Sequence, residues 1–318
     1  MNQYLIGDNI THLKNMDVSC DLIYIDPPYN TGRNFGDYED KWSTMKDYAE
    51  GFLYPRLELC YEILKPTGNI VVHVEPRNSH HVRFGLDKIF GHTKFRNEIS
   101  WKSGGHSKNL NQLGRMHDTI IVYSKSSNYT FNPIYFPYDE KYLKNTREDD
   151  RGKYATSAIH NSQPEVNPRP NLRYEWNGHN RQWYTTKEKM QVLHDENRLA
   201  YNTKGIPRIK RYVHEMDGIP ITDLWTDISN TQAGEKVDYA TQKPVSLLKR
   251  IINLYSNEGD LVVDMFGGSG TTGIAAIQTN RKYLLIDINS KGKRIFEERC
   301  EKIPLPPATL DSCFRDTL

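Results

Sequence analysis

The sequence predicts an α/β fold: a mostly parallel sheet covered by helices on both faces. Three observations carry that prediction. Short runs rich in Ile, Val and Leu ("DLIYI", "GNIVVHVE", "DTIIVYSK", "DLVVD", "KYLLIDIN") are apolar along their length, as strands buried on both faces must be. Longer stretches with helical spacing alternate with them, such as "KDYAEGFLYPRLELCYEILKP" and "KPVSLLKRIINLYS". Near the C-terminus, strand, glycine-rich turn, helix and strand follow one another in a compact β-loop-α-β unit.

Taken in order, the elements define three zones. From Tyr4 to about Ser124, strands and amphipathic stretches alternate, and the first long helix is expected to stop at Lys65-Pro66-Thr67-Gly68. From about Lys125 to Asp223 the pattern dissolves into a polar segment rich in Asn, Tyr, Pro and Arg, where only "KEKMQVLHDENRL" looks helical. That segment is too long for an ordinary loop, and the aromatic residues of "YEWNGHNRQWY" argue against disorder. From Tyr239 regular elements return: a helix with Pro244 near its first turn, the strand "DLVVD", the helix "TTGIAAIQTN" and the strand "KYLLIDIN". The expected division is therefore 1–125, an inserted module at 126–225, and 226–318.

Composition narrows the class. Formal net charge is only +2, so overall charge does not announce a nucleic-acid binder. "MNQYLIGDNI" lacks a basic leader followed by an apolar run, and no stretch reaches the roughly 18 apolar residues of a membrane span. A cytoplasmic protein without a membrane partner is expected. Cys20, Cys60, Cys300 and Cys313 form no C-x-x-C pair, which suggests free thiols in a reducing compartment, with neither zinc nor any other metal.

Two loops carry the chemistry. In "VVDMFGGSGTTG", Asp264 ends a strand, Gly267, Gly268 and Gly270 make the turn, and a helix follows whose free N–H groups face the turn. Asp287 ends the next strand, where this architecture grips a ribose diol. A phosphate-binding P-loop would need Gly-Lys-Ser/Thr, and no lysine occurs between Asp264 and Arg281. Gly268-x-Gly270-x-x-Gly273 leaves a dinucleotide formally open, whereas the acid just before the loop suits a cofactor bearing an ammonium and a sulfonium, S-adenosylmethionine (AdoMet).

In "DLIYIDPPYNTG" a buried strand runs into two prolines that cannot continue a ladder. The exocyclic amine of a heterocycle is a weak nucleophile because its lone pair is delocalised. Acceptors at both of its N–H groups, the Asp26 side chain and the Pro27 carbonyl, favour a pyramidal nitrogen. Pro27 and Pro28 fix those acceptors in place, and Tyr29 can stack on a base removed from its helix. An N-capping aspartate beside a proline turn is the blander reading of the same letters.

Together these residues resemble a known family, the circularly permuted (β-class) amino-methyltransferases of DNA, specifically adenine-N6 enzymes. "DPPYNTG" looks like their catalytic motif and "DMFGGSGTT" like their AdoMet motif, and catalytic motif first is the order of that class. "YLIGDNITHL", "FRNEISWKSGG", "MHDTIIVYSK" and "DYATQKP" extend the resemblance over nearly the whole chain. It implies a Rossmann-like AdoMet-dependent methyltransferase fold with a mostly parallel seven-stranded sheet, permuted, plus a target-recognition insertion. It also implies direct in-line methyl transfer to a flipped adenine, with S-adenosyl-L-homocysteine as product. The cofactor residues it implies are Asp8, Asp26, Pro27, Lys243, Asp264, Phe266, Gly268, Ser269, Gly270, Thr271, Thr272, Asp287 and Asn289; the catalytic ones are Asp26, Pro27, Pro28 and Tyr29. Two departures stand out: Met265 where the family usually has proline, and Asp287 where glutamate is common.

Double-stranded DNA is the expected partner. Arg198, Lys204, Arg208, Lys210 and Arg211 lie in a stretch without an acid and suit a phosphate track, although a solvated face would read the same way. Lys102, Ser103 and His106 border a glycine loop and are candidate DNA contacts. Similar enzymes often dimerise and some pair with a restriction endonuclease. N4-cytosine methylation is the near rival, disfavoured because such enzymes usually carry serine at the position of Asp26. An RNA or protein amino-methyltransferase is more distant, as is a catalytically silent DNA-binding protein. Cytosine C5 chemistry conventionally uses a Pro-Cys nucleophile, which is absent.

Overall fold

The structure is a computed structural model that describes residues 1–34, 39–104, 111, 113–239 and 241–303. His106 and Cys313 lie outside the described residues. Two compact units are present, one formed by residues 1–133 and 222–318 and the other by residues 134–221. Residues 126–133 and 222–225, which the sequence reading put with the insertion, belong to the larger unit.

The larger unit is organised around one sheet. Its strands are β1 (Asn2–Ile6), β2 (Cys20–Ile25), β3 (Leu64–Val74), β4 (Phe95–Trp101), β5 (Asp118–Ser124), β6 (Leu224–Trp225), β7 (Leu261–Asp264) and β8 (Lys282–Asp287). They lie in the order β1-β8-β7-β2-β3-β5-β4-β6. All neighbours are parallel except where β5 runs against β3 and β4. The expected seven strands are joined by the two-residue β6 at the edge.

All six residues of β2 are buried, and the central core joins Ile23, Ile25, Ile70, Val72 and Val263 to Leu57 and Leu86 from the covering helices. Those helices are α1 (Asn9–Lys14), α2 (Tyr54–Ile63), α3 (Ser79–Phe90), α4 (Val245–Tyr255), α5 (Thr271–Gln278) and α6 (Ser290–Cys300). One expectation is corrected here. The helix entering β3 ends at Ile63, and Lys65-Pro66-Thr67-Gly68 already lie in the strand. Pro66 is tolerated because the pairing register of β3 with β2 skips it, jumping from Leu64 to Asn69.

The ladder between β7 and β2 fixes the site. Val263 pairs with Ile23 and Asp264 with Tyr24, so the loops leaving the two carboxyl ends emerge side by side. From β7 the chain passes through α5 to β8 on one side, and from β2 through α2 to β3 on the other. Strand order reverses between them, which opens a crevice at the carboxyl edge.

The smaller unit has its own core of Ile159, Trp183, Met190, Leu199 and Ile206. It contains a four-stranded antiparallel sheet, the helix Lys187–Asp195 and a hairpin pairing Arg173–Trp176 with His179–Gln182. A further short helix, Glu140–Lys144, was not foreseen from the sequence. Among the described residues, no helix is long and apolar enough to cross a membrane, and no cluster of His, Cys, Asp and Glu could hold a metal.

Candidate active site

A cavity of about 770 Å³ opens at the crevice and falls within the larger unit. That volume is in the range of small-molecule sites. It is lined from one side by Asp8, Asn9 and the Asp26–Tyr29 loop, and from the other by Asp264–Ser269, Thr271, Thr272 and Asp287.

The glycine loop is held mainly by its own backbone. Gly268 and Gly270 have φ of +49° and +75°, conformations that side chains strain to adopt. A Cβ on Gly270 would stand 2.3 Å from the Phe296 ring. The Gly268 N–H donates to Asp287 Oδ2 and the Asn289 N–H to Asp287 Oδ1, each at 2.8 Å, so this acid organises the loop as well as lining the cavity. Arg299 donates from behind to the Ser269 carbonyl (2.9 Å) and to Thr271 Oγ1 (3.0 Å). Asp264 is buried; the Phe266 N–H donates to its Oδ1 at 2.9 Å and the Thr272 hydroxyl to its Oδ2. Burial pushes the Asp264 carboxyl up to about 7, and the charges of Asp26 and Asp287 push the same way against those two bonds.

On the N-terminal side, Asp8 caps α1, accepting from the Thr11 N–H at 2.9 Å, and also receives the Arg56 guanidinium at 3.1 Å. Burial works against its charge, but the Thr11 bonds and Arg56 outweigh it and hold the carboxyl below its ordinary range. The Arg56 guanidinium lies 4.0 Å from the centroid of Phe52, whose ring meets Phe266 at 6.0 Å. Asn9 donates to the Met265 carbonyl at 2.8 Å, and its Oδ1 is buried in the cavity wall with no bond in the chain.

The Asp26 loop is held from a distance. Asn30 has φ +54°, and the buried Asp40 fastens the turn by accepting from the Asn30 N–H (2.6 Å), the Thr31 N–H (3.0 Å) and the Thr31 hydroxyl (2.6 Å). Asn78 donates to the Tyr29 carbonyl. Both Asp26 oxygens are engaged: the Tyr29 hydroxyl donates to Oδ1 and the Lys243 ammonium to Oδ2. Lys243, expected on the cofactor side, thus stands against the catalytic carboxylate, 5.7 Å from the centre of the Tyr29 ring. The Tyr29 hydroxyl is pushed well above its ordinary range, by burial first and the Asp26 charge second.

The structure scatters the candidate DNA contacts. Lys102 is exposed, and the Ser103 hydroxyl bonds to the Asp118 carboxylate. Lys210 is buried and donates to Asp149 at 2.7 Å, while Arg198 donates to both Glu215 oxygens at 2.8 Å. Those two cations are neutralised inside the smaller unit, which revises their reading as phosphate contacts. Arg208 bonds to Thr156, and Arg211 to Ser157 at 3.0 Å. Lys204 and Arg211 are exposed.

Comparison with known proteins decides the family, because a family of DNA methylases matches residues 20–298. The chain belongs to the DNA methylase family. Type II methyltransferase M.EcaI of Enterobacter cloacae is 32% identical over 308 residues, covering 90% of this methylase-family chain. The chain spans 66% of the length of M.EcaI, a little under two thirds. DNA adenine methyltransferase YhdJ of Escherichia coli is 28% identical, with 90% of this chain and 78% of that one covered. Among solved structures, the DNA modification methylase TTHA0409 of Thermus thermophilus, complexed with S-adenosyl-L-methionine, superposes with a TM-score of 0.51 at 18% identity. That match covers 97% of this chain and 100% of the other, and it shows the fold.

Proposed function

We propose that this chain transfers the methyl group of AdoMet to the N6 amine of an adenine flipped out of double-stranded DNA. One observation carries the reading: Asp26, at the end of β2, lines the same cavity as the Asp264–Thr272 loop and Asp287. An amine-binding carboxylate and a nucleoside-cofactor cradle therefore share one space.

The donor set fits AdoMet. Asp26, Asp264 and Asp287 repel one another, and a cofactor bearing an ammonium and a sulfonium relieves that repulsion. The unpartnered Asn9 Oδ1 offers an acceptor to a nucleoside N–H. When bound, AdoMet would supply an electrophilic methyl group. Asp8, Asp264, Asp287 and the Phe266–Thr272 turn would hold it, and Asp26 and the Pro27 carbonyl would accept the two amine N–H groups. Pro27 and Pro28 keep those acceptors fixed, and Asp40 and Asn78 hold the turn that follows. Tyr29 supplies the wall against which the base rests. The proton leaving the methylated nitrogen goes to Asp26 or to water.

We assign target recognition to the smaller unit, whose hairpin and neighbouring cleft present Asn161, Arg173, Asn180, Arg181 and Gln182, residue types that read base edges. A restriction endonuclease of matching specificity and a homodimeric state complete the proposal; sedimentation of the purified protein tests the latter. The decisive experiment is expression in a host lacking adenine methylation, followed by single-molecule sequencing. N6-methyladenine at one sequence motif, lost with Asp26→Ala, is expected. Methylated cytosine, or unmodified DNA, overturns the substrate assignment.

A further inference from the structure

Beneath Asp26 lies a second polar chain that the reaction outlined above does not use. Tyr24 on β2, His73 on β3 and Asp118 on β5 sit on three adjacent strands at the edge that carries the cavity. The Tyr24 hydroxyl is 3.0 Å from His73 Nδ1, and His73 Nε2 is 3.3 Å from Asp118 Oδ2. A carboxylate only accepts, so the ring proton sits on Nε2 and Nδ1 accepts from Tyr24. His73 is fully buried, with Trp101 edge-on to its ring at 5.5 Å. Burying a histidine–carboxylate pair inside an apolar sheet is costly, and nothing in the packing of β3 requires it.

The chain ends near the one lysine that matters. Burial raises the Asp118 carboxyl, but the bond to His73 and its charge, then the Lys243 charge, then the Ser103 hydroxyl outweigh it and hold it below its ordinary range. Lys243 therefore lies within the field of two carboxylates, bonded to Asp26 and attracted to Asp118. Its ammonium also occupies the acceptor that a target amine needs, since Oδ2 of Asp26 carries it and Oδ1 carries the Tyr29 hydroxyl. An amine entering the site must displace one of them. A lysine released into a dry cavity with no counter-charge would cost too much, so a second anchor is needed.

We propose that Asp118, held by the Tyr24–His73 chain, is a positioning residue that receives the Lys243 ammonium when the target amine takes its place on Asp26. The lysine is then a placeholder for the substrate amine, and handing it to Asp118 restores the full acceptor strength of Asp26. Asp118 and His73 act through Lys243 and touch neither base nor cofactor.

This inference rests on the amino-methyltransferase reading, and the test separates the two. Single-turnover methylation of a duplex carrying the mapped site is measured for wild type, Asp118→Asn, Lys243→Met and the double variant, with AdoMet affinity by calorimetry and melting temperature as controls. Asp118→Asn is expected to slow methyl transfer about tenfold or more, with AdoMet affinity within about twofold and an unchanged melt, and Asp118→Glu to recover most of the rate. In the Lys243→Met background, Asp118→Asn is expected to have no further effect. Should Lys243→Met turn over too slowly to rank, the same cycle is read in the binding of duplexes with adenine or purine at the target position. Loss of adenine preference on Asp118→Asn is expected only where Lys243 is present. A wild-type rate in Asp118→Asn, or an equal loss with and without Lys243, overturns the inference. Wild type that methylates no DNA overturns the parent reading instead.

Discussion

The two loops of the cavity are built on opposite principles. The glycine loop between β7 and α5 is organised close to home: left-handed glycines set its path, and backbone N–H groups bind the acid that closes the next strand. The Asp26 loop has no such internal framework. It is fastened by side chains from elsewhere in the chain, namely Asp40, Asn78 and Lys243. A loop that cradles a cofactor must keep its shape, and backbone geometry provides that. A loop that admits and releases a base has to exchange partners, which side-chain contacts allow.

Substitutions can break this contrast from either side. The largest effect is expected at Asp26: Asp26→Ala should lower the methylation rate about 10³-fold while AdoMet still binds, measured by single-turnover kinetics and calorimetry. On the other loop the pattern should invert. Gly270→Ala forces a side chain into φ +75° and against Phe296, so AdoMet binding should fail and stability drop by about 2–4 kcal/mol in denaturant titration. Asp40→Ala should loosen only the catalytic loop, lowering kcat about 10–100-fold with AdoMet affinity nearly unchanged.

A gentler probe is pH. The Asp264 carboxyl is protonated up to about 7 in the folded chain and only to about 4 when unfolded. Between those values the folded form holds an extra proton, so the cofactor-free protein should lose stability as pH rises through that interval. A cationic cofactor wants the ionised form, so AdoMet affinity should climb from pH 6 to 8 with proton release, visible as buffer-dependent binding heats. Asp264→Asn should abolish that slope. The smallest effects belong to the smaller unit. Alanine at Lys204 or Arg211 should each lower the salt dependence of DNA binding by about one unit of log–log slope. Lys210→Met should lower the melting temperature and leave that slope unchanged.

Much of the fold and half of the site were legible in the sequence. Continuous apolar strands and the glycine turn are local signals, and local signals survive in one dimension. The partners of Asp26 were not legible, because Asp40 lies in a short polar strand and Asn78 before a helix, with no periodicity to mark them. His73 read as one more residue of a buried strand; an imidazole inside "IVVHVE" was the signal that could have raised the question. The basic stretch from Arg198 to Arg211 misled for the opposite reason. Its acids, Asp149 and Glu215, lie outside the window and reach Lys210 and Arg198 only in the folded unit.

The pairing of β7 with β2 also sets a timetable for the nascent chain. β2 emerges from the ribosome early, fully apolar, and must wait for most of the polypeptide before β7 covers its flank. Until then that flank is an open template for the wrong strand. Contacts of such high sequence separation form late and slowly. The enzyme's two loops, made far apart in time, become a site only in the last moments of synthesis, so aggregation during expression should depend on how quickly the C-terminal strands follow.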